Sequence, residues 1–319
     1  MTSEHEPTVR DMFFIVVSIC SWALLCITLV SFWGRPFLFE LTTHFRHLYV
    51  ICGLIGSGLL WWAKLRVHAI PAFLAMILNL IPLSGVWLGT APEASGEASY
   101  KIIFCNIFYK NTSHEPLLSL IRSEDPDLVL LVEVSPIWNE TMTILKKEFP
   151  HSVVEEDDGA FGLAAFSRIP ETELSIIHHE SNGFPVGLIR LRGKGGPMTM
   201  ILDHPMAPVG ERQIRMRNRH MTETAALAAG TEGAVAVIGD LNATMWSPYF
   251  RDLLQDGRLE DGRRGFGLLG TWPAGLPLIR IPIDHVLVRE VIVNSLIAGP
   301  NVDADHLPLI MELSTAPRE

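Results

Sequence analysis

Three runs without a charged residue dominate the first ninety positions: 12 to 34 (MFFIVVSICSWALLCITLVSFWG), 48 to 63 and 68 to 90. A helix needs about 20 apolar residues to cross the hydrocarbon core of a bilayer. The first and third runs therefore read as membrane spans and the shorter middle run as a third. A cleaved signal peptide accounts less well for the first run, which exceeds an apolar segment of about 7–15 residues and is followed by two more. Gly53, Gly56 and Gly58 offer a face for close helix packing. Trp61, Trp62 and Trp87 stand near run ends, where interfacial aromatics collect.

Arg10 precedes the first run, Arg35 and Arg46 lie in the first loop, Lys64 and Arg66 in the second, and the stretch after the third (TAPEASGEASY) has no basic residue. An amino terminus on the inside puts Arg10, Lys64 and Arg66 in the cytoplasm and the carboxy-terminal part outside. The chain is thus expected to comprise an anchor (1–90), a linker (91–100) and a large domain (101–319).

Residues 91 to 319 carry 20 Lys and Arg against 31 Asp and Glu, a net charge of −11. That balance opposes tracking of a phosphate backbone by counterion release and disfavours a non-specific nucleic-acid binder, without excluding a nuclease. Of four cysteines, Cys20, Cys26 and Cys52 fall in the apolar runs, so the domain has no disulfide framework. Cys105, in an apolar strand pattern without a local base, reads as a buried thiol rather than a nucleophile.

Within the domain, short apolar runs alternate with helical stretches. YKIIFCNIFY, DLVLLVEV, FGLAAFS, ELSIIHH, VGLIRLR, PMTMILDH, VAVIGDL, PIDHVLV and PLIMEL read as strands. HEPLLSLIRSEDP, residues 136 to 149, about 211 to 229 and about 247 to 255 read as helices. Several adjacent strands among helices predict an α/β (α+β) domain, with two packed mixed sheets flanked by helices rather than one parallel sheet. The full expectation is a four-layer α/β/β/α sandwich preceded by three transmembrane helices.

Polar groups able to handle metal or phosphate recur where these strands end: Asn106, Glu133, Asp203-His204, Asp240 with Asn242, Asp284-His285 and Asp305-His306. One such residue is commonly a cap or turn residue. Six sets in one domain exceed what capping explains. Successive strand side chains alternate, so Asp240 and Asn242 of VAVIGDLN are expected to share one face and leave the strand end in one direction.

The stretches IIFCNIFYKN, DPDLVLLVEV, LDHP, VIGDLNAT, GTWP, PIDHVLV and ADHLPLI, in this order, resemble the endonuclease/exonuclease/phosphatase superfamily of metal-dependent phosphoesterases. With the apolar runs in front, the chain is similar to the membrane-anchored branch that includes VanJ-type teicoplanin-resistance and YafD-like proteins. The resemblance implies Mg²⁺ or Mn²⁺ held by Asn106 and Glu133, with Asp305 at that site or a second one. Hard oxygen donors suit those ions. It further implies that Asp240 orients or deprotonates the attacking water, with Asn242 donating a hydrogen bond to the phosphate or helping to fix Asp240. His306, oriented by Asp284, and His204 would meet the phosphate. His285 reads as structural, Trp272 as a structural aromatic near the site, and His114, His151, His178 and His179 as surface or turn residues. The basic cluster Arg212, Arg215, Arg217 and Arg219 is either a solvated helix face, or presents Arg217 and Asn218 at the site rim as substrate-binding residues for an anionic head group.

Two positions depart from the family pattern. Ala304 stands where Ser is usual, and the tyrosine and arginine contacts of abasic-site endonucleases have no counterpart. The resulting expectation is a phosphohydrolase of the outer membrane surface acting on a phospholipid or polyprenyl phosphate, linked by analogy to envelope metabolism or glycopeptide resistance. An extracytoplasmic nuclease and a non-catalytic membrane binding module are the alternatives.

Overall fold

The computed structural model describes residues 8–88 and 99–315, so nearly all of the expected linker and the side chain of Trp87 lie outside the described residues. The chain forms two compact units, Met1–Gly85 and Val86–Glu319.

The first unit is helical. Thr8 caps α1 (Val9–Trp33) through a reciprocal pairing with Asp11, and Gly34 ends it in the left-handed conformation, φ 59°. A short α2 (Phe37–Leu41) and a 3₁₀ turn lead into α3 (Arg46–Trp62) and then α4 (Arg66–Leu88). Helices α1 and α4 run parallel: the Ala72 amide donates to Ser21 Oγ, and Asn79 Nδ2 donates to Thr28 Oγ1. Gly53 is where α3 meets α4, since a Cβ there would lie 2.7 Å from the Ala72 carbonyl oxygen. Gly58 faces open space, so only part of the expected glycine face is used.

Two helices, over Val9–Trp33 and Arg66–Val86, are long and apolar enough to cross a membrane. The third expected span falls short: α3 has 17 residues, about 25 Å of helix at about 1.5 Å per residue. The unit buries a small apolar cluster of Phe14, Leu60 and Ala69 beside an unusual set of polar side chains, and exposes many large apolar ones. Ser18, Ser21, Thr28, Ser31, Arg46 and Asn79 are buried, whereas Ile15, Val16, Ile19, Leu29, Leu54, Ile55 and Ile81 are exposed.

The second unit contains two six-stranded mixed sheets. One has the order β11-β12-β1-β2-β4-β3, the other β5-β6-β7-β8-β10-β9. The strands of the first are β1 (Tyr100–Asn106), β2 (Leu128–Val132), β3 (His151–Glu155), β4 (Leu163–Ser167), β11 (Val291–Ala298) and β12 (Leu309–Thr315). Those of the second are β5 (Thr172–His178), β6 (Pro185–Gly193), β7 (Gly196–Asp203), β8 (Val235–Asp240), β9 (Glu260–Asp261) and β10 (Asp284–Arg289). Among the described residues, only the β1–β2 and β7–β8 pairs are parallel. Apolar side chains of both sheets, among them Ile102, Leu130, Met200 and Ile238, form the central core. Helices α5 (Glu115–Glu124) and α6 (Asn139–Glu148) cover the first sheet, and α7 (Glu211–Gly230) and α8 (Pro248–Gly257) the second. The expected two packed mixed sheets flanked by helices are thus present.

Central strands β1, β2 and β8 read as unbroken apolar runs because both their faces are covered. Edge strand β3 was not legible in HSVVE, whose two valines are flanked by polar residues, nor was β11, whose alternation is broken by a register shift between Val293 and Ser295. At Gly239 the parallel strands β7 and β8 come so close that a Cβ would stand 1.8 Å from the Asp203 carbonyl oxygen. Gly239→Ala is expected to force β7 and β8 apart, cost about 2–3 kcal/mol and lower the melting temperature by roughly 5–10 °C. Circular-dichroism melts of the full chain in detergent check this, and an unchanged melt would show that the strands yield freely.

Candidate active site

Strand direction gathers the polar residues. Asn106 ends β1 and Glu133 follows β2, while His204 follows β7 and Asp240 ends β8; the antiparallel partners β10 and β12 bring Asp284 and His306 to the same end. Asp284 is the register partner of Asp240. Every predicted catalytic or metal residue except Asn242 therefore contributes its side chain to one cluster.

The Asn106 amide bridges the two sheets, its Nδ2 donating to Glu133 Oε1 at 2.9 Å and Asp240 Oδ2 at 3.1 Å. Glu133, at φ 62°, accepts the Tyr109 amide on its other oxygen at 3.1 Å. His306 Nδ1 lies 2.9 Å from Asp284 Oδ2, and its Nε2 lies 3.6 Å from Asp240 Oδ2. His204 stands on the other flank, with Nε2 3.6 Å from Glu133 Oε1 and Nδ1 3.2 Å from the Asp240 carbonyl oxygen. Trp272 Nε1 donates to Asp305 Oδ2 at 3.3 Å, so the expected structural aromatic steers a carboxylate of the site.

Three expectations are corrected. Asn242 does not extend β8: the strand stops at Asp240, and Asn242 turns to φ 49° with its amide N–H on Asp240 Oδ1 and its Nδ2 on the Pro205 carbonyl. It shapes the Asp240 turn, in line with the expected role of fixing Asp240, and Pro205 engages one of its two Nδ2 hydrogens. Asn106 does not direct its amide oxygen at the carboxylates, because Oδ1 accepts the Phe108 amide at 3.0 Å. Turning the amide over would set two donors against each other. Arg217 does not reach the rim: it is fully buried, donating to the Asn242 carbonyl at 3.0 Å and to Asn218 Oδ1 at 3.0 Å. Helix α7 turns Arg217 inward while Arg215 and Arg219 pair with Glu211 and Glu223 at the surface. Arg217 and Asn218 thus brace the turn that carries Asp240.

Cys105 and His285 are buried, the thiol's pKa pushed well up by burial and the imidazole's well down. Arg263 was not foreseen. It is buried in a loop without a motif, and it donates to the Asp284 carbonyl at 2.6 Å.

Burial raises the Asp240 carboxyl to about 6, against the pull of His306. Burial disfavours charge on His306 and His204, yet the Asp284 and Asp240 carboxylates lift His306 to about 10, and the Glu133 hydrogen bond with the Asp240 charge lifts His204 to about 9. Glu133 falls to about 2 despite burial because His204, Asn106 and the Tyr109 amide favour its charged form. A divalent cation among these groups fits. Asp284 Oδ1 and Asp305 Oδ1 are buried without a hydrogen-bond partner, and the Asp305 carboxyl is raised by burial and by the nearby Glu133 charge. Unpaired buried carboxylate oxygens are the groups a hard cation would stabilise.

In metal-free protein the two raised imidazoles contribute stability that is complete below about pH 6.5 and is lost as pH rises through 9 and 10. The melting temperature of EDTA-treated chain should therefore fall between neutral and alkaline pH, and Asp284→Asn should move the fall to lower pH. Profiles that overlay would show that the His306–Asp284 pair is not ionised.

Residues 103–306 match the Endonuclease/Exonuclease/phosphatase family. No curated protein matches the chain. Among solved structures, the human Nocturnin catalytic domain with bound sulfate is 16% identical, covering 68% of this chain and 95% of that one at a TM-score of 0.54. TDP2 of D. rerio with a single-strand DNA product is 15% identical over 69% of this chain and 100% of that one, TM-score 0.54. A 3′ phosphatase of Neisseria, NExo, bound to a product DNA hairpin is 16% identical over 66% and 98%, TM-score 0.52. At these identities the likeness is one of fold. Taken with the match across 103–306, the sheet order and the carboxylate–imidazole cluster at the strand ends, this means that the chain belongs to the endonuclease/exonuclease/phosphatase family.

Proposed function

We propose that this chain is a membrane-anchored, divalent-metal-dependent phosphohydrolase that cleaves a phosphate ester or diester of a lipid or polyprenyl-phosphate type at the outer face of the cytoplasmic membrane. The observation that carries hydrolysis is the placing of Asp240, a buried carboxyl whose Oδ2 lies 3.6 Å from His306 Nε2 and 3.7 Å from His204 Nδ1 and whose pKa burial raises to about 6. A base of that strength is matched to taking a proton from water at working pH. His306, held through Nδ1 by Asp284, presents Nε2–H to a phosphate oxygen. His204 offers a second cationic donor from the opposite flank. Asn106 orients Glu133 and Asp240 together, and Asn242 with Arg217 fixes the Asp240 turn. Mg²⁺ or Mn²⁺, bound by Glu133 and Asp305, would supply the charge that neutralises the phosphate and polarises its ester bond.

Anchoring is supported by the inverted polarity of the first unit. A core helix of a soluble protein buries its apolar side chains, whereas 11% of the most apolar window of α1 is buried and its serines and Thr28 face inward. On this reading the family likeness extends to the membrane-anchored VanJ- and YafD-type branch, with α3 as a short third span. Arg10, Lys64 and Arg66 favour an inside amino terminus. Anchoring raises the effective concentration of substrates held in the same bilayer. A nuclease is the alternative, resting on the DNA held by the TDP2 and NExo structures; the domain's net −11 speaks against it.

Purified chain in detergent, given Mg²⁺ or Mn²⁺ and a panel of phospholipids, polyprenyl pyrophosphates and DNA, should release phosphate or a head group from a lipid member and stop with EDTA. Asp240→Ala should lower kcat by about 10²–10⁴-fold. Turnover confined to DNA would replace the lipid reading by the nuclease, and no turnover on any member would favour a binding module. A carboxy-terminal tag should be accessible in intact cells; protection until lysis would reverse the orientation.

A further inference from the structure

Asp203 and His204 are neighbours at the end of β7, and strand alternation sends their side chains to opposite faces. His204 joins the active site. Asp203 turns under α7 into a second buried cluster with His220 and His179, to which the proposed hydrolysis assigns no part. We infer that His179, Asp203 and His220 form a second metal site, of a donor set suited to Zn²⁺, separate from the oxygen-rich active site and independent of the phosphohydrolase reading.

The three residues come from different elements: His179 follows β5, Asp203 ends β7 and His220 lies midway along α7. One ligand atom of each lies within 4.8 Å of the other two. Zinc bonds of about 2.0–2.2 Å separate neighbouring ligand atoms by about 3.3–3.6 Å, so binding needs the widest pair to close by up to about 1.5 Å and the hydrogen-bonded His220–Asp203 pair to open by about 1 Å. His220 and Asp203 are fully buried and His179 is 7% exposed, so the site is dry and its ligands are held by packing.

The surroundings also suit a metal. His179 presents Nε2 to the cluster while its Nδ1 lies 3.4 Å from Glu223 Oε2, the carboxylate–imidazole support that orients histidine ligands. Burial lowers the His179 pKa, which keeps the ring in the neutral form that binds metal. Thr224 Oγ1 stands 3.0 Å from His179 Nε2 and 2.6 Å from Asp203 Oδ2, within reach of the cluster as a further oxygen donor. Two imidazoles and one carboxylate favour a borderline cation, whereas the carboxylates of the active site favour a hard one.

In the metal-free arrangement His220 Nε2 shares a proton with Asp203 Oδ1 at 2.5 Å. Zinc takes that proton's place. His220 then carries its proton on Nδ1, which displaces the Asn182 Nδ2 now 3.0 Å away, because Asn182 Oδ1 is held by the Phe184 amide at 2.9 Å and the amide cannot simply turn over. The ion would join the β5–β6 turn, β7 and α7, and so fix the backbone from which His204 projects.

The test uses full-length, tag-free protein in detergent, stripped with EDTA and carrying Glu133→Gln with Asp240→Asn to remove one metal-holding carboxylate and the base of the active site. After Zn²⁺ addition and desalting, elemental analysis should find one zinc per chain, and Co²⁺ should give the visible absorption of a four-coordinate site. Adding His179→Gln or His220→Gln should abolish both, with folding checked by circular dichroism. Zinc retained equally after either substitution, or no zinc and no Co²⁺ absorption in the Glu133→Gln, Asp240→Asn chain, overturns the site. If the histidine variants fail to fold, the Co²⁺ spectrum of the parent decides alone: four-coordinate absorption supports the site and octahedral absorption overturns it.

Discussion

The contact on which the active end of the domain depends is the polar bridge between its sheets. Through the core the two sheets meet by apolar side chains, which stabilise without direction, and at the opposite end Tyr100 Oη ties β1 to Gly193 and Gly196. At the active end Asn106 Nδ2 crosses to Asp240 and His306 crosses to Asp284, both bonds buried. Removing one partner of a buried ion pair costs about 3–5 kcal/mol because the other is left charged and unpaired. The same groups therefore hold the sheet ends in register and carry the chemistry. That is why four carboxylates and two imidazoles can be crowded into one small volume, with orphaned oxygens left on Asp284 and Asp305.

Much of this was legible in the sequence because strand periodicity is local. The runs ending at Asn106, Asp203 and Asp240 are central strands whose apolar stretch stops where the sheet stops, so the polar residue at each end announces the site. What a strand does after it stops was not legible. Asn242 looked like the next residue on the Asp240 face, but the chain had already turned to a positive φ. Arg217 looked like one arginine among several on a helix, and the sequence does not say which face of α7 lies against β8. Arg263 and the His179–Asp203–His220 cluster depend on loops and tertiary contacts, for which no short pattern exists.

The two units solve the burial problem in opposite senses. The domain hides apolar side chains between its sheets and beneath its helices, as water requires. The first unit hides serines, Thr28, Arg46 and Asn79, and turns isoleucine, leucine and valine outward. In water such an arrangement would leave large apolar faces unpaid by any burial. In hydrocarbon it is the favourable one, since side-chain hydrogen bonds such as Asn79 to Thr28 then replace the hydrophobic effect as the specific glue between helices.

Strand β7 shows how one element can serve two environments. Its last residue and the next differ by one step of the pleat, so Asp203 points under α7 and His204 into the active site. Because Gly239 lets β8 approach the Asp203 carbonyl, neither side chain can shift without moving the strand that ends in Asp240. The hydrogen bonds that α7 makes to Asp203 through His220 and Thr224, and to the Asp240 turn through Arg217, therefore act on the same pair of strands. Helix α7 thus sets the position of two active-site residues, His204 and Asp240, while contributing no side chain to the chemistry itself.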